Sequence, residues 1–162
     1  AFEHFKKWLV MMETQSEKLL KGLRTDRGGE FTSQEFNDFC ESKGIKRELT
    51  APYSPEQNGV AERKNRTVVE KARSMLRSKR LPNEFWGEAV STAVYILNIS
   101  PTRAVADKIP YELWTGRRPD VSHLRVFGCL AYALVNLRSK LDDKSVKCIF
   151  VGYATQSKAY KL

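Results

Sequence analysis

The chain has 162 residues, with 28 lysines and arginines against 19 acidic residues and a formal charge of +9. That length suits one domain, or one domain with a small appendage, and can bury a core; it holds no twenty-residue apolar run, so no spanning helix is expected, and no charged-then-apolar leader opens it. Three cysteines, Cys40, Cys129 and Cys148, are odd in number and set in apolar surroundings, which argues for buried, reduced thiols of a cytosolic or nuclear protein, and neither His4 nor His123 has a partner at zinc-finger spacing.

In chain order, Phe2, Phe5, Trp8, Leu9 and Met12 recur at helical spacing over residues 2 to 15 with no cap in front, as in a fragment. "LLKGLRT" reads as a short buried strand with Asp26 at its carboxyl end. "TSQEFNDFCESKG" carries a capping-box pattern from Thr32 to Glu35, apolar positions at Phe36, Phe39 and Cys40, and Gly44 as a stop. "IKREL" reads as a strand, although Arg47 shares a face with Ile45 and Leu49. "TAPYSPEQNG" has loop composition. From Val60 a second helical pattern places Ala61, Val68, Ala72, Met75 and Leu76 on one side. After "LPN" a third, Phe85 to Leu97, is apolar over so wide an arc that it should be sandwiched between other elements.

Beyond "ISPTRAV" the character changes. Residues 101–123 look like an extended connector, and residues 124–162 hold two β-rich runs, "RVFGCLAYALV" and "VKCIFVGYA", of a small antiparallel unit. The order helix, strand, helix, strand, helix over residues 1–100 predicts an α/β layer domain with at least two parallel strands.

The charge is concentrated. Residues 63 to 80 hold eight lysines and arginines against Glu70 alone. A solvated helix face would read the same way, but such a density beside a candidate active site suggests phosphate contacts.

Asp26 falls where open α/β sheets place their ligands, beyond the carboxyl edge. Glu62, at the start of the basic helix, follows after 35 intervening residues, enough for one helix, one strand and a loop to return the chain to the same crevice. Two carboxylates brought together raise each other's pKa. A divalent cation removes that penalty, and paired ions assist in-line phosphoryl transfer. Gly28 and Gly29 would then let the backbone turn where a side chain would obstruct, with Arg24 and Arg27 facing either nucleic acid or solvent. A turn aspartate and a helix first-turn glutamate would leave the same pattern.

"TDRGGEF", "APYSPEQNGVAERKNRT" and "FWGEAVSTAVYILN", with "ELWTGRRPDVSHLRVFGCLAYA" and "IFVGY", together resemble the integrase of copia-type long-terminal-repeat retrotransposons, those of plants most closely, over essentially the whole chain. The resemblance implies an RNase H-like integrase catalytic core lacking its first strands, followed by a small barrel-like region. It makes Asp26 and Glu62 the second and third members of an Asp, Asp, Glu triad that holds Mg²⁺ or Mn²⁺; the first aspartate and a zinc-binding module would lie upstream.

The activity implied is DNA integration: end processing and strand transfer on element ends and target DNA, by a homo-oligomer without a membrane, in a cytoplasmic particle and the nucleus. Lys64, Asn65, Arg66, Lys71 and Arg73 become candidate DNA ligands, with an ion pair to Glu62 as the alternative for Arg66. Tyr53, Gln57, Asn58 and Gly59 fall in an active-site loop, where Tyr53 would otherwise pack on the domain. The fragment alone is expected to be inactive. A non-catalytic nucleic-acid-binding remnant, or a decayed structural fragment, are the competing readings.

Overall fold

The first apolar periodicity forms α1 (Phe2–Ser16) in the computed structural model, which describes residues 2–51, 59–135, 139–141, 143–154 and 156–162. By their internal contacts these residues divide into two compact units, Ala1–Lys64 and Asn65–Leu162. The division falls inside one helix, whereas the composition of the chain shifts near residue 100.

In the first unit α1 is followed by β1 (Gly22–Thr25), the short α2 (Gly29–Thr32), α3 (Gln34–Ser42) and β2 (Lys46–Leu49). The strands pair in parallel, with Leu23 opposite Arg47 and Thr25 opposite Leu49, and the helices form the crossover that parallel pairing requires. The strand at "LLKGLRT" is shorter than the sequence suggests. Leu19 is 77% exposed and only Thr25 of β1 is buried; among the described residues β1 pairs with β2 alone.

Ser33, not Thr32, caps α3, accepting the Phe36 N–H, and Thr32 ends α2 instead. The cap serves one orphan amide of the first turn. The stop at Gly44 is as expected. Its φ is 66°, Gly44 N–H donates to Glu41 O at 2.9 Å and Ile45 N–H to Cys40 O at 2.8 Å, the two bonds of a Schellman ending.

Leu9, Phe36, Cys40 and Ile45 form the core of this unit, with Phe2, Phe5, Leu20, Leu23, Phe31 and Phe39 packed around them. Phe36 meets the rings of Phe2, Phe5 and Phe31 at centroid distances of 5.1 to 5.6 Å. Such tilted and edge-on ring pairs add to the gain from burial.

The second unit is built on the basic helix α4 (Gly59–Ser78) and, after a 3₁₀ turn (Asn83–Phe85), α5 (Trp86–Asn98). Ala72 and Leu76 of α4 pack with Ala89, Phe127 and Val151. Ala61, expected on the inner side, is exposed. Nor is α5 sandwiched: Ala89, Thr92 and Ala93 are buried, but Trp86 in its first turn and Val94 are 42% and 40% exposed. A wide apolar arc states what a helix is able to bury, not whether a neighbour covers it.

Residues 101–123 are not wholly extended. α6 (Pro110–Thr115) has Pro at its start and Gly116 in the left-handed conformation at its end, the end residues a helix favours, although six residues are too few to show a period. The β-rich segment forms two antiparallel pairs, β3 (Leu130–Leu134) with β4 (Ser145–Ile149) and β5 (Gly152–Tyr153) with β6 (Tyr160–Lys161). All three cysteines are free; Cys40 is fully buried, but Cys129 and Cys148 are only half-buried. Among the described residues no helix is long and apolar enough to cross a membrane.

Candidate active site

Asp26 is the first residue after β1, at the carboxyl edge of the parallel pair. The ladder continues around it, since Thr50 N–H donates to Thr25 O at 3.0 Å. Asp26 is exposed, and its Oδ1 accepts the Gly28 N–H at 3.1 Å. That bond is an Asx turn, which shapes the chain from strand to helix without help from tertiary contacts.

The two glycines do different things from those the sequence suggests. Gly28 has φ −55° and ψ 141°, a conformation open to any residue. Its missing Cβ leaves space for carboxylates: a Cβ there would stand 2.6 Å from Glu30 Oε2 and 3.2 Å from Asp26 Oδ1. Gly29 begins α2, has no positive φ, and nothing lies within 4 Å of the place a Cβ would take. Neither glycine is needed for backbone freedom. Glu30, which sequence reading passed over, is therefore a second acid on the same turn, and its place in the first turn of α2 was the available signal.

Arg24 and Arg27 both have partners within the fold. Arg24 pairs with Glu48 across the strands at 2.9 Å, and Arg27 Nε donates to Thr50 O at 3.0 Å. The Arg24 guanidinium, with Lys46, holds the Glu48 carboxyl below its ordinary range. Among the described residues no ion pair engages Asp26 or Glu30.

Glu62 stands in the first turn of α4, exposed, and belongs to the same compact unit as Asp26. No ion pair joins it to Arg66 among the described residues, so the alternative role for Arg66 finds no support. Among those residues no group of three or more His, Cys, Asp or Glu is placed to hold a metal. Asp26, Glu30 and Glu62 would offer an ion oxygen donors alone, the kind that Mg²⁺ or Mn²⁺ takes.

Lys64, Asn65, Arg66, Lys71 and Arg73 are all exposed on α4. At about 100° per residue they do not form one face. Arg66 and Arg73 lie seven apart on one flank with Glu62, and Lys64 and Lys71 lie on the other. Asn65 stands seven residues before the fully buried Ala72, in line with the packed stripe. Gly59, assigned to the loop, is instead the buried first residue of α4. Tyr53, Gln57 and Asn58 lie outside the described residues.

The fold is that of a retroviral-type, RNase H-like integrase core. A simian T-cell lymphotropic virus intasome, solved by cryoEM in complex with PP2A regulatory subunit B56 gamma, matches 94% of this chain and 58% of its own at a TM-score of 0.53, with 19% identity. Residues 129–162 match the family described as retroviral polymerase SH3-like domain. The retrovirus-related Pol polyprotein from transposon TNT 1-94 of Nicotiana tabacum is 52% identical over 164 residues, covering 100% of this chain. That from transposon RE2 of Arabidopsis thaliana is 35% identical over 152 residues, covering 93%. The chain belongs to the Pol polyproteins of copia-type retrotransposons, at their integrase core. It spans only 12% and 10% of the lengths of these two relatives.

Proposed function

We propose that this chain is part of a metal-dependent polynucleotidyl transferase that integrates retrotransposon DNA, with Asp26 and Glu62 as two carboxylates of its metal site. What carries the reading is the place of Asp26, one residue beyond the end of a parallel strand, in the same unit as a helix that presents Glu62 in its first turn. Ligands of open α/β sheets bind at that edge.

The chemistry is cleavage by water near the element's ends, then attack of the freed 3′ hydroxyl on a target phosphodiester. Each step exchanges one P–O bond for another and needs no nucleotide triphosphate. A divalent ion, when bound, supplies charge stabilisation to the attacking and leaving oxygens. The chain's own part is placement. Arg66 and Arg73, on the flank of α4 that carries Glu62, hold DNA phosphates, and Asp26 and Glu62 would supply carboxylate oxygens to the ion. Mg²⁺ or Mn²⁺, a third carboxylate from outside these 162 residues, and assembly with further copies complete the site.

Strand-transfer assays test this. The 162-residue chain is expected to join no DNA alone. In the longer polyprotein integrase, Asp26→Asn or Glu62→Gln is expected to lower Mg²⁺-dependent transfer by about a hundredfold or more while DNA binding persists. Full transfer by either variant overturns the assignment. Transfer by the 162-residue chain that Asp26→Asn abolishes removes the need for a third ligand.

A further inference from the structure

Arg47 is the residue that fits worst in its strand pattern. It shares a face with Ile45, which is only 4% exposed, in the core of the first unit. Half-buried, its guanidinium stays against that core. Nη2 donates to Phe31 O at 2.7 Å and to Thr25 Oγ1 at 3.3 Å, and Nη1 donates to Asn37 Oδ1 at 3.2 Å. The guanidinium carbon stands 4.6 Å from the centroid of the Phe36 ring, which is 1% exposed. Nε is buried with no partner. An unpaired buried N–H is a cost, and the fold tolerates it to keep a planar, multiply bonded cation at this point.

The bonded groups explain why. Thr25 precedes Asp26, and Phe31 follows Glu30, so one guanidinium grips both ends of the turn that carries the two acids. Thr25 is itself buried, at 6% exposure, and its hydroxyl accepts from Arg47. Within the turn, the remaining bonds are local: Gly28 N–H to Asp26 Oδ1 and Phe31 N–H to Gly28 O at 2.9 Å. On the other side Arg27 reaches Thr50 O. Among the described residues, Arg47 is the side chain that bonds both Thr25 and Phe31.

We infer that Arg47 is a positioning residue for the acidic turn Asp26–Glu30, setting where its carboxylates stand by bridging Thr25 and Phe31 across the end of β1. The functional part of this inference rests on the reading of Asp26 as a metal ligand. A lysine at this position carries the same charge but is a single point donor, which does not span both groups with fixed geometry. The turn then loses one end of its clamp while the Phe36 core stays filled.

The test is amide hydrogen exchange by NMR on the 162-residue chain, with Mn²⁺ as a paramagnetic probe. In Arg47→Lys the amides of Gly28 and Phe31 are expected to exchange about tenfold faster, as for loss of a charge-assisted bond. The amides of Lys43 and Ile45, which close α3, are expected to keep their rates. Mn²⁺ broadening of residues 26–30 should weaken several-fold. Thr25→Val, which removes one acceptor and keeps the shape, should move the same turn amides in the same direction by less.

Unchanged turn amides in both variants overturn the inference. So does equal acceleration at Ile45, which would make Arg47 a general stabiliser. Absence of Mn²⁺ broadening at residues 26–30 in the longer polyprotein integrase, with the exchange contrast present in the 162-residue chain, refutes the metal role of Asp26 and leaves the positioning role standing.

Discussion

Replacing Gly28 and Gly29 separately by alanine distinguishes two reasons for a glycine pair beside an acid. Gly29 begins a helix with an ordinary φ and open space where a Cβ would go. Gly29→Ala therefore removes only unfolded-state freedom, and stability should rise by about 0.4–1 kcal/mol. For a unit this small the gain corresponds to roughly 2–8 °C in Tm. Gly28→Ala gains the same entropy but puts a Cβ 2.6 Å from Glu30 Oε2. The atom it meets is the end of a flexible side chain, so Glu30 swings aside at a cost of order 0.5–1.5 kcal/mol, and the net change stays within about 1 kcal/mol of zero. The consequence of Gly28→Ala is local: Glu30 leaves the side of Asp26, and Mn²⁺ binding should weaken in this variant and not in Gly29→Ala. Urea unfolding followed by circular dichroism, with Mn²⁺ titration alongside, measures both. A loss of more than about 1 kcal/mol in Gly29→Ala would refute the reasoning, because it would mean the turn needs a backbone conformation that alanine resists.

Two further outcomes follow from α4 and from the ring cluster of the second unit. Arg66→Gln with Arg73→Gln should reduce the slope of log affinity against log salt for duplex DNA by about 2, while Lys64→Gln with Lys71→Gln on the opposite flank should change it less; equal effects would mean that both flanks face the phosphates. Burial pushes the Tyr95 phenol above 10.0, and its hydroxyl meets His123 Nε2 at 2.6 Å. Because the folded value lies above the unfolded one, the stability this group contributes is fully present below about pH 10 and is lost as pH rises through the raised value. Tyr95→Phe, which keeps the ring that stacks 4.5 Å from Tyr153, should flatten that alkaline fall in denaturation midpoints; an identical fall in the variant would place its origin elsewhere.

Several features were legible from residue order alone, because they depend on neighbours a few positions away. The periodicity of α1, the Gly44 ending of α3, the position of Asp26 just past β1 and the helix that begins near Glu62 are all of this kind. The family wording carried the fold, since motifs such as "NGVAERKN" are specific over the whole chain. Other features depended on partners far along the chain. Thr32 and Ser33 offer the same cap chemistry, and only the break between α2 and α3 chose Ser33. Arg24 and Arg27 look like phosphate ligands in a basic chain until Glu48 and Thr50 are brought beside them.

What the sequence determined by itself was the set of local elements and the identity of the acids, because hydrophobic period, capping and turn chemistry act within one or two turns of chain. The tertiary structure decided which cations were already engaged, and that Arg47 packs against the Phe36 core with its guanidinium on Thr25 and Phe31. It also removed the backbone requirement from both glycines and made Gly28 alone the space for Glu30. These are matters of which side chains converge after folding, and spacing along the polymer does not encode them.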